Sequence, residues 1–193
     1  MGMITVVALC GSQSANSSTE RLLRVAAAHA ELLGAHVIFY CGEQLRLPLY
    51  GSPAHQPAAD DLLASVAAAD GVLLGSPSHH GSVSGLLKNA LDYLEELRDH
   101  PNPYLNDKAV GCVAVGSGVQ GPVNTMRALR DIVHSLRGWP TPLGVAVDSA
   151  TALPGGTPSP AVEPKLALVG RQVVEFALAR RAAHNGLAVP RSA

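Results

Sequence analysis

MITVVALCGSQSANSST, residues 3–19, sets an apolar run ending at Cys10 against a segment that carries five hydroxyls and no charge. An apolar run this short, bounded by turn residues, reads as a buried strand. If residue 19 opens a helix, the loop before it points free backbone N–H groups along the positive end of a helix dipole. Ser12, Ser14, Ser17, Ser18 and Thr19 add hydroxyl donors, so the stretch describes a phosphate cradle made without Lys or Arg. A plainer reading fits the same residues: Ser17 or Ser18 is an N-cap and the rest is turn.

Further along the chain, Val-rich runs alternate with stretches of helical period. Strands read at 3–10, 35–41, 71–76, 109–116 and 142–147, and helices at 19–33, 58–69, 83–98, 122–137 and 164–183. In the third helix Leu87, Leu91 and Leu94 share one face, and Val123, Met126, Leu129, Ile132, Val133 and Leu136 repeat that spacing in the fourth. Gly34 serves as a C-cap, Pro122 as the first residue of its helix, and Gly138 as its stop. The period-free segment 149–163 reads as a long loop, and residues 185–193 as a flexible tail. Strict alternation predicts an α/β sandwich: a five-stranded parallel sheet with helices on both faces. Both a flavodoxin-like order and a shortened dinucleotide-binding arrangement satisfy it. In either, ligands sit at the carboxyl ends of the strands, in the loops after strands 1, 3 and 4.

Composition narrows the function. The 193 residues suit one domain, and 14 Lys+Arg against 15 Asp+Glu give a net charge of -1. No basic field is present to recruit nucleic acid or an anionic membrane. Cys10, Cys41 and Cys112 lie in strand-like runs without metal-ligand spacing, which predicts buried thiols in a reducing compartment. The N-terminus lacks a signal-peptide n-region and a bilayer-length run, so cytoplasmic residence is expected.

Several nucleotide and hydrolase motifs are excluded. There is no GK[ST], and Gly11 has no partners for GxGxxG. After strand 2 the chain reads Phe39-Tyr40-Cys41-Gly42 before reaching Glu43, a poor ribose-binding acid. Gly116-Ser117-Gly118-Val119-Gln120-Gly121 is a literal GxGxxG, but no acid stands about 20 residues on. Gly81-Ser82-Val83-Ser84-Gly85 puts Val where a nucleophile elbow needs Ser.

GSPSHHGSVSGLLKNALDYL, residues 75–94, together with GSQSANSST, resembles the NADPH-dependent FMN reductase family of flavodoxin-like proteins. That family carries GSxRxxSxN after strand 1 and PxYHGSxxGxLKNALD after strand 3. Gly11, Ser12, Ser17 and Thr19 align with the first motif, and Pro77, His80, Gly81, Ser82, Gly85 and Lys88–Asp92 with the second. The likeness covers about residues 3 to 148. It implies a flavodoxin-like three-layer sandwich of order 2-1-3-4-5, with FMN at the switch point and NADPH or NADH as hydride donor. It also implies a homodimer or homotetramer whose interface helps enclose the flavin. By the resemblance, Ser12, Ser14, Ser17, Ser18 and Thr19 would surround the phosphate, and Pro77, Ser78, His79, His80 and Gly81 would run along the ring.

The sequence departs from the family at two positions. The Arg of the phosphate loop is Ser14 here, removing a charge-assisted contact, and the Tyr before the His is His79. Adjacent residues such as His79 and His80 seldom aim at one metal ion, and no metal is expected. His79 is the one candidate for a catalytic role, though a turn residue fits there equally. In the third loop Ser117, Gly118, Gln120 and Gly121 are expected to approach the flavin edge, the glycines excluding side chains. Only Tyr50 and Trp139 offer aromatic cover, so one flavin face is expected to be open to a nicotinamide.

The expected function is hydride transfer from NAD(P)H to FMN, supplying reduced flavin to a monooxygenase. The alternatives are an FMN-bound quinone, azo or nitro reductase, and a non-catalytic flavin-binding sensor.

Overall fold

The computed structural model describes residues 2–52 and 57–186. The elements run β1 (Ile4–Cys10), α1 (Ser18–Leu32), β2 (Ala35–Cys41), α2 (Pro57–Ala68), β3 (Gly71–Pro77), α3 (Gly85–Asp92), β4 (Ala109–Gly116), α4 (Gln120–Ser135), β5 (Trp139–Pro140), β6 (Val145–Asp148), α5 (Ser149–Ala152) and α6 (Glu163–Gly186). The strands are parallel in the order β2-β1-β3-β4-β5, and β6 also pairs with β4.

The period of two in the strands sorts their side chains between two cores. Val6, Ala8 and Cys10 face α1 and α6, where Leu22, Leu23, Leu166 and Val169 are buried. Val7 and Leu9 face α2, α3 and α4, where Leu62, Leu87, Leu129 and Val133 are buried. The sheet is therefore sealed on both sides, as a parallel sheet requires. Helices α1 and α6 cross so closely that a Cβ on Gly170 would lie 2.2 Å from the Ala26 carbonyl oxygen.

The fifth strand differs from its expected span of 142–147. Two short pieces share the edge of β4: Trp139–Pro140 opposite Ala109–Val110, and Val145–Asp148 opposite Val113–Gly116. Pro140 and Pro142 have no N–H to donate, so the ladder breaks between them and Val145. Side chains take over there. Arg130 Nη2 donates to the carbonyls of Thr141 and Pro142, both at 3.0 Å, and the Thr141 hydroxyl donates to Leu143 O at 2.7 Å.

Helix ends were legible in type and shifted in position. Gly34, at φ 84, closes α1. The α4 helix starts at Gln120, which makes Pro122 its third residue, still within the turn whose N–H groups lack partners. Arg137, at φ 63, takes the left-handed position after α4, and Gly138 N donates to Val133 O at 2.9 Å. Gly138 is small for another reason: a Cβ there would lie 2.9 Å from Val133 and 3.1 Å from Leu105. The helix read as 83–98 ends at Asp92 and tightens into a 3-10 turn over Tyr93–Leu97, in which Leu94 and Leu97 stay buried.

Segment 149–163, read as a loop, holds α5 and a 3-10 turn at Pro154–Gly156. The Thr151 hydroxyl closes the first of these on Asp148 O at 3.2 Å, and Ala152 is buried. Of the expected tail, Asn185 and Gly186 belong to α6, and 187–193 lie outside the described residues. Cys10 and Cys112 are buried, and burial pushes their thiols up to about 11 and about 12. Cys41, expected in the core, is half-buried instead, because β2 is the sheet edge. Among the described residues no helix is long and apolar enough to cross a membrane.

Candidate functional site

Because every strand is parallel, the loops after β1, β3 and β4 emerge at one end of the sheet. Their arrangement is fixed by Ser84. Its hydroxyl donates to Gly11 O at 2.7 Å and accepts from Leu87 N at 3.2 Å as the N-cap of α3. Its N–H donates to Ser76 Oγ at 3.0 Å, so one residue joins β1, β3 and α3. Gly11 must be small for this: a Cβ would lie 2.5 Å from Ser84 Oγ and 2.6 Å from Leu87 Cβ. Sequence reasoning missed Ser84, although a Ser directly before the GLLKNALD stretch is an N-cap signal.

The β3 loop is a hairpin. His79 and Ser82 exchange both backbone hydrogen bonds at 3.1 Å, with His80 at φ 52 and Gly81 at φ 80 between them. Two consecutive left-handed residues make a type I′ turn, whose second position favours Gly. Fully buried Thr125 supports it, donating to Ser82 O at 3.0 Å and lying 2.9 Å from Ser78 Oγ.

This hairpin separates two clefts and sends the two histidines apart. The first, of ≈ 570 Å³, is walled by Gly11–Ser14, by Pro77 and His79, and by Ser84–Leu86 at the start of α3. The second, of ≈ 530 Å³, lies between His80-Gly81 and Ser117–Gly121, with Asn124. Among the described residues no group of three His, Cys, Asp or Glu could hold a metal ion.

The five hydroxyls of the first loop are divided. Ser12 and Ser14 line the first cleft. Ser17 caps α1, its Oγ accepting from Glu20 N at 3.1 Å, while Ser18 is half-buried and Thr19 buried. Glu20, another residue missed, is only 6% exposed. Its Oε2 accepts from Asn16 N at 2.9 Å, and its Oε1 pairs with Arg24 Nη2 at 2.7 Å. The spacing Ser17-x-x-Glu20 is the capping-box signal that could have found it.

The glycines of the β4 loop have reasons of their own. Gly118 sits at φ 75, and Cβ atoms on Gly116 and Gly121 would lie 3.0 Å from Ser78 Cβ and 2.7 Å from Ser78 Oγ. Asp148, at the end of β6, accepts from Gly118 N at 2.9 Å. That N–H is the main cause holding its carboxyl below the usual carboxylate range. Asn89 ties the segment after β2 to α3, donating to Pro48 O and accepting from Tyr50 N, both at 2.9 Å. Lys88 and Asp92 form an ion pair, each about half exposed. Tyr50 meets Tyr93 edge-on, with centroids 5.4 Å apart. Trp139 pairs with Ala109 at the opposite end of the sheet, against Phe176, and so gives the site no cover.

The first cleft fits FMN by its donor chemistry: hydroxyls, an amide and backbone groups face it, and no Asp or Glu lines it to repel a phosphate. Its volume is that of a small-molecule pocket.

Comparison with known proteins agrees. The family model described as NADPH-dependent FMN reductase matches residues 4–152. The FMN-dependent NADPH-azoreductase of Staphylococcus aureus (strain USA300) is 31% identical over 145 residues, 72% of this chain and 73% of that protein. Among solved structures, an NADH:FMN oxidoreductase (EmoB) superposes with a TM-score of 0.69 at 23% identity, covering 92% of this chain and 90% of that one. A flavodoxin, WrbA-like protein from Agrobacterium tumefaciens superposes with 0.67 at 20%, covering 93% and 99%. These two show a shared flavodoxin-like fold. The chain belongs to the NADPH-dependent FMN reductase family, and is an NAD(P)H-dependent flavin oxidoreductase with FMN as cofactor and NADPH as electron donor.

Proposed function

We propose that the first cleft holds FMN, with its phosphate toward Ser12, Ser14, Ser17, Ser18 and Thr19 and its ring along Pro77, Ser78, His79, His80 and Gly81. Ser117, Gly118, Gln120 and Gly121, which line the second cleft, then border the polar edge of the ring where the flavin reaches past the hairpin. One observation carries this reading. The cleft lies at the carboxyl ends of β1 and β3, where the strand order reverses, and is lined without any Lys, Arg, Asp or Glu.

FMN bound there supplies the hydride-accepting centre. The chain's own residues surround the phosphate with hydroxyls and amides, brace the ring against the hairpin, and leave one face open to the nicotinamide. His79, exposed on the wall of the cleft, is the candidate to deliver a proton to a reduced acceptor.

The phosphate loop has Ser14 where the family has Arg, so reduced FMN is read as a diffusible product that supplies a flavin-dependent monooxygenase. The likeness to the S. aureus azoreductase favours a second reading, in which FMN stays bound and a quinone, azo or nitro compound is reduced. Gel filtration of the FMN-loaded protein, followed by steady-state kinetics, separates them. Flavin lost on the column, with saturable dependence of NADPH oxidation on free FMN, supports the first. Retained flavin with ping-pong dependence on the acceptor supports the second.

The same reading takes the 193 residues as one domain and places the enzyme in the cytoplasm, in keeping with three free cysteines. It also makes the enzyme a homodimer or homotetramer that closes over the open cleft. Leu49, at 76% exposure, and Tyr50, at 38%, stand beside α3 as candidate contacts. Light scattering of the purified protein tests the assembly.

A further inference from the structure

Two arginines project from the start of α1, and their charges are used differently. Arg24 is neutralised by Glu20 and lies 4.1 Å over the Phe39 ring. Arg21 donates to the carbonyl of Gly156, a neutral acceptor. Among the described residues no carboxylate lies within ion-pair distance of it. The turn that receives Arg21 is shaped around it. Gly155 and Gly156 have φ of 60 and 86, and a Cβ on Gly156 would lie 2.6 and 2.9 Å from the two terminal nitrogens of Arg21. Arg21 N donates to Ser17 O at 2.9 Å, so the side chain springs from the same first turn of α1 that Ser17 opens.

We infer that Arg21 selects phosphorylated flavin over riboflavin, exchanging the Gly156 carbonyl for the phosphate of FMN. The inference rests on the placement of the phosphate at residues 12–19 proposed above. A guanidinium meets a phosphate with two parallel charge-assisted bonds and opposite charge, where the Gly156 carbonyl offers neither, so the exchange is downhill once a phosphate arrives. It also compensates for the family Arg that is Ser14 here. The Gly155-Gly156 turn then loses its anchor when FMN binds and keeps it when riboflavin binds.

Equilibrium dissociation constants for FMN and for riboflavin, read by quenching of flavin fluorescence, test this without turnover. The parent protein binds FMN more tightly than riboflavin. Arg21→Gln keeps a donor for Gly156 O and removes the charge; it is expected to weaken FMN roughly tenfold and leave riboflavin unchanged. Gly156→Ala displaces the guanidinium from its resting place and is expected to tighten FMN alone. Equal affinity of the parent for the two flavins would overturn the phosphate site itself. A preference for FMN that survives Arg21→Gln undiminished would overturn only the role of Arg21.

Discussion

At the amino end of the sheet, Arg181 closes on Asp70 with two nitrogens, at 2.8 and 2.6 Å, and Arg180 and His184 close on Asp107. Asp70 also accepts from Thr5 N at 2.8 Å, and buried Lys108 donates to Ala67 O at 3.3 Å. At the carboxyl end, the first cleft is built from hydroxyls, glycines and backbone groups, with no Lys, Arg, Asp or Glu in its wall. The contrast separates holding from binding. Charges at the amino end answer one another and fasten α6 to the strands, whereas the cleft at the carboxyl end presents uncharged groups to a ligand. In parallel α/β sheets the ligand end is the carboxyl end, and the opposite end is free to serve stability.

The largest effect is expected where the binding end itself needs tight packing. Gly11→Ala forces a Cβ against Ser84 and Leu87, and should destabilise the protein by about 1–3 kcal/mol while abolishing FMN binding. Thermal melts and a flavin titration check both halves, and unchanged FMN affinity would break the link between the Ser84 joint and the cleft.

Next, Asp70→Ala leaves Thr5 N without its acceptor and Arg181 with only the Gly2 and Met3 carbonyls, at a cost of about 1–3 kcal/mol. FMN affinity at temperatures where the variant is folded should stay at the parent value, and a parallel loss of both would erase the distinction between the two ends.

Ser17→Asp sharpens the comparison from the other side. Asp caps a helix about as well as Ser, so stability should move by less than ~0.5 kcal/mol. The added charge should weaken FMN tenfold or more and spare riboflavin. Equal losses for both flavins would mean that the helix end, and not the phosphate, had been disturbed.

The smallest effect concerns Asp148. Its carboxyl is held below the ordinary value of 3.8 by Gly118 N–H. Its contribution is therefore complete above that value and fades as the pH falls through the lower folded-state value. Amide exchange at Gly118 should quicken only in that acidic window, and Asp148→Asn should flatten the dependence. A parent profile already flat there would remove Asp148 as the anchor of the β4 loop.

The fold was legible because its signals are local: period-two strands, period-3.6 helices and Gly34 at a helix end depend on neighbours in sequence. The edge strand was not, because where Pro140 and Pro142 break the ladder the freed carbonyls of Thr141 and Pro142 are taken up by Arg130, a partner distant from the strand pattern. The clefts were legible as loops, since all parallel strands end on one side, but the use of each hydroxyl was not. Ser17 is a cap while Ser12 lines the cleft, and only the placement of α1 separates them. Gly116 and Gly121 also make room for Ser78, a contact between loops with no sequence signature.

On this reading the hydroxyls and amides after β1 cradle the phosphate of FMN, joined by Arg21 once it binds. A crystal structure of the protein soaked in FMN tests it most directly. Phosphate density is expected within hydrogen-bonding distance of the residue 12–19 amides and hydroxyls, with the ring against Pro77–Gly81. FMN lodged in the second cleft, beside His80 and Asn124, with the β1 loop left bare, would contradict it.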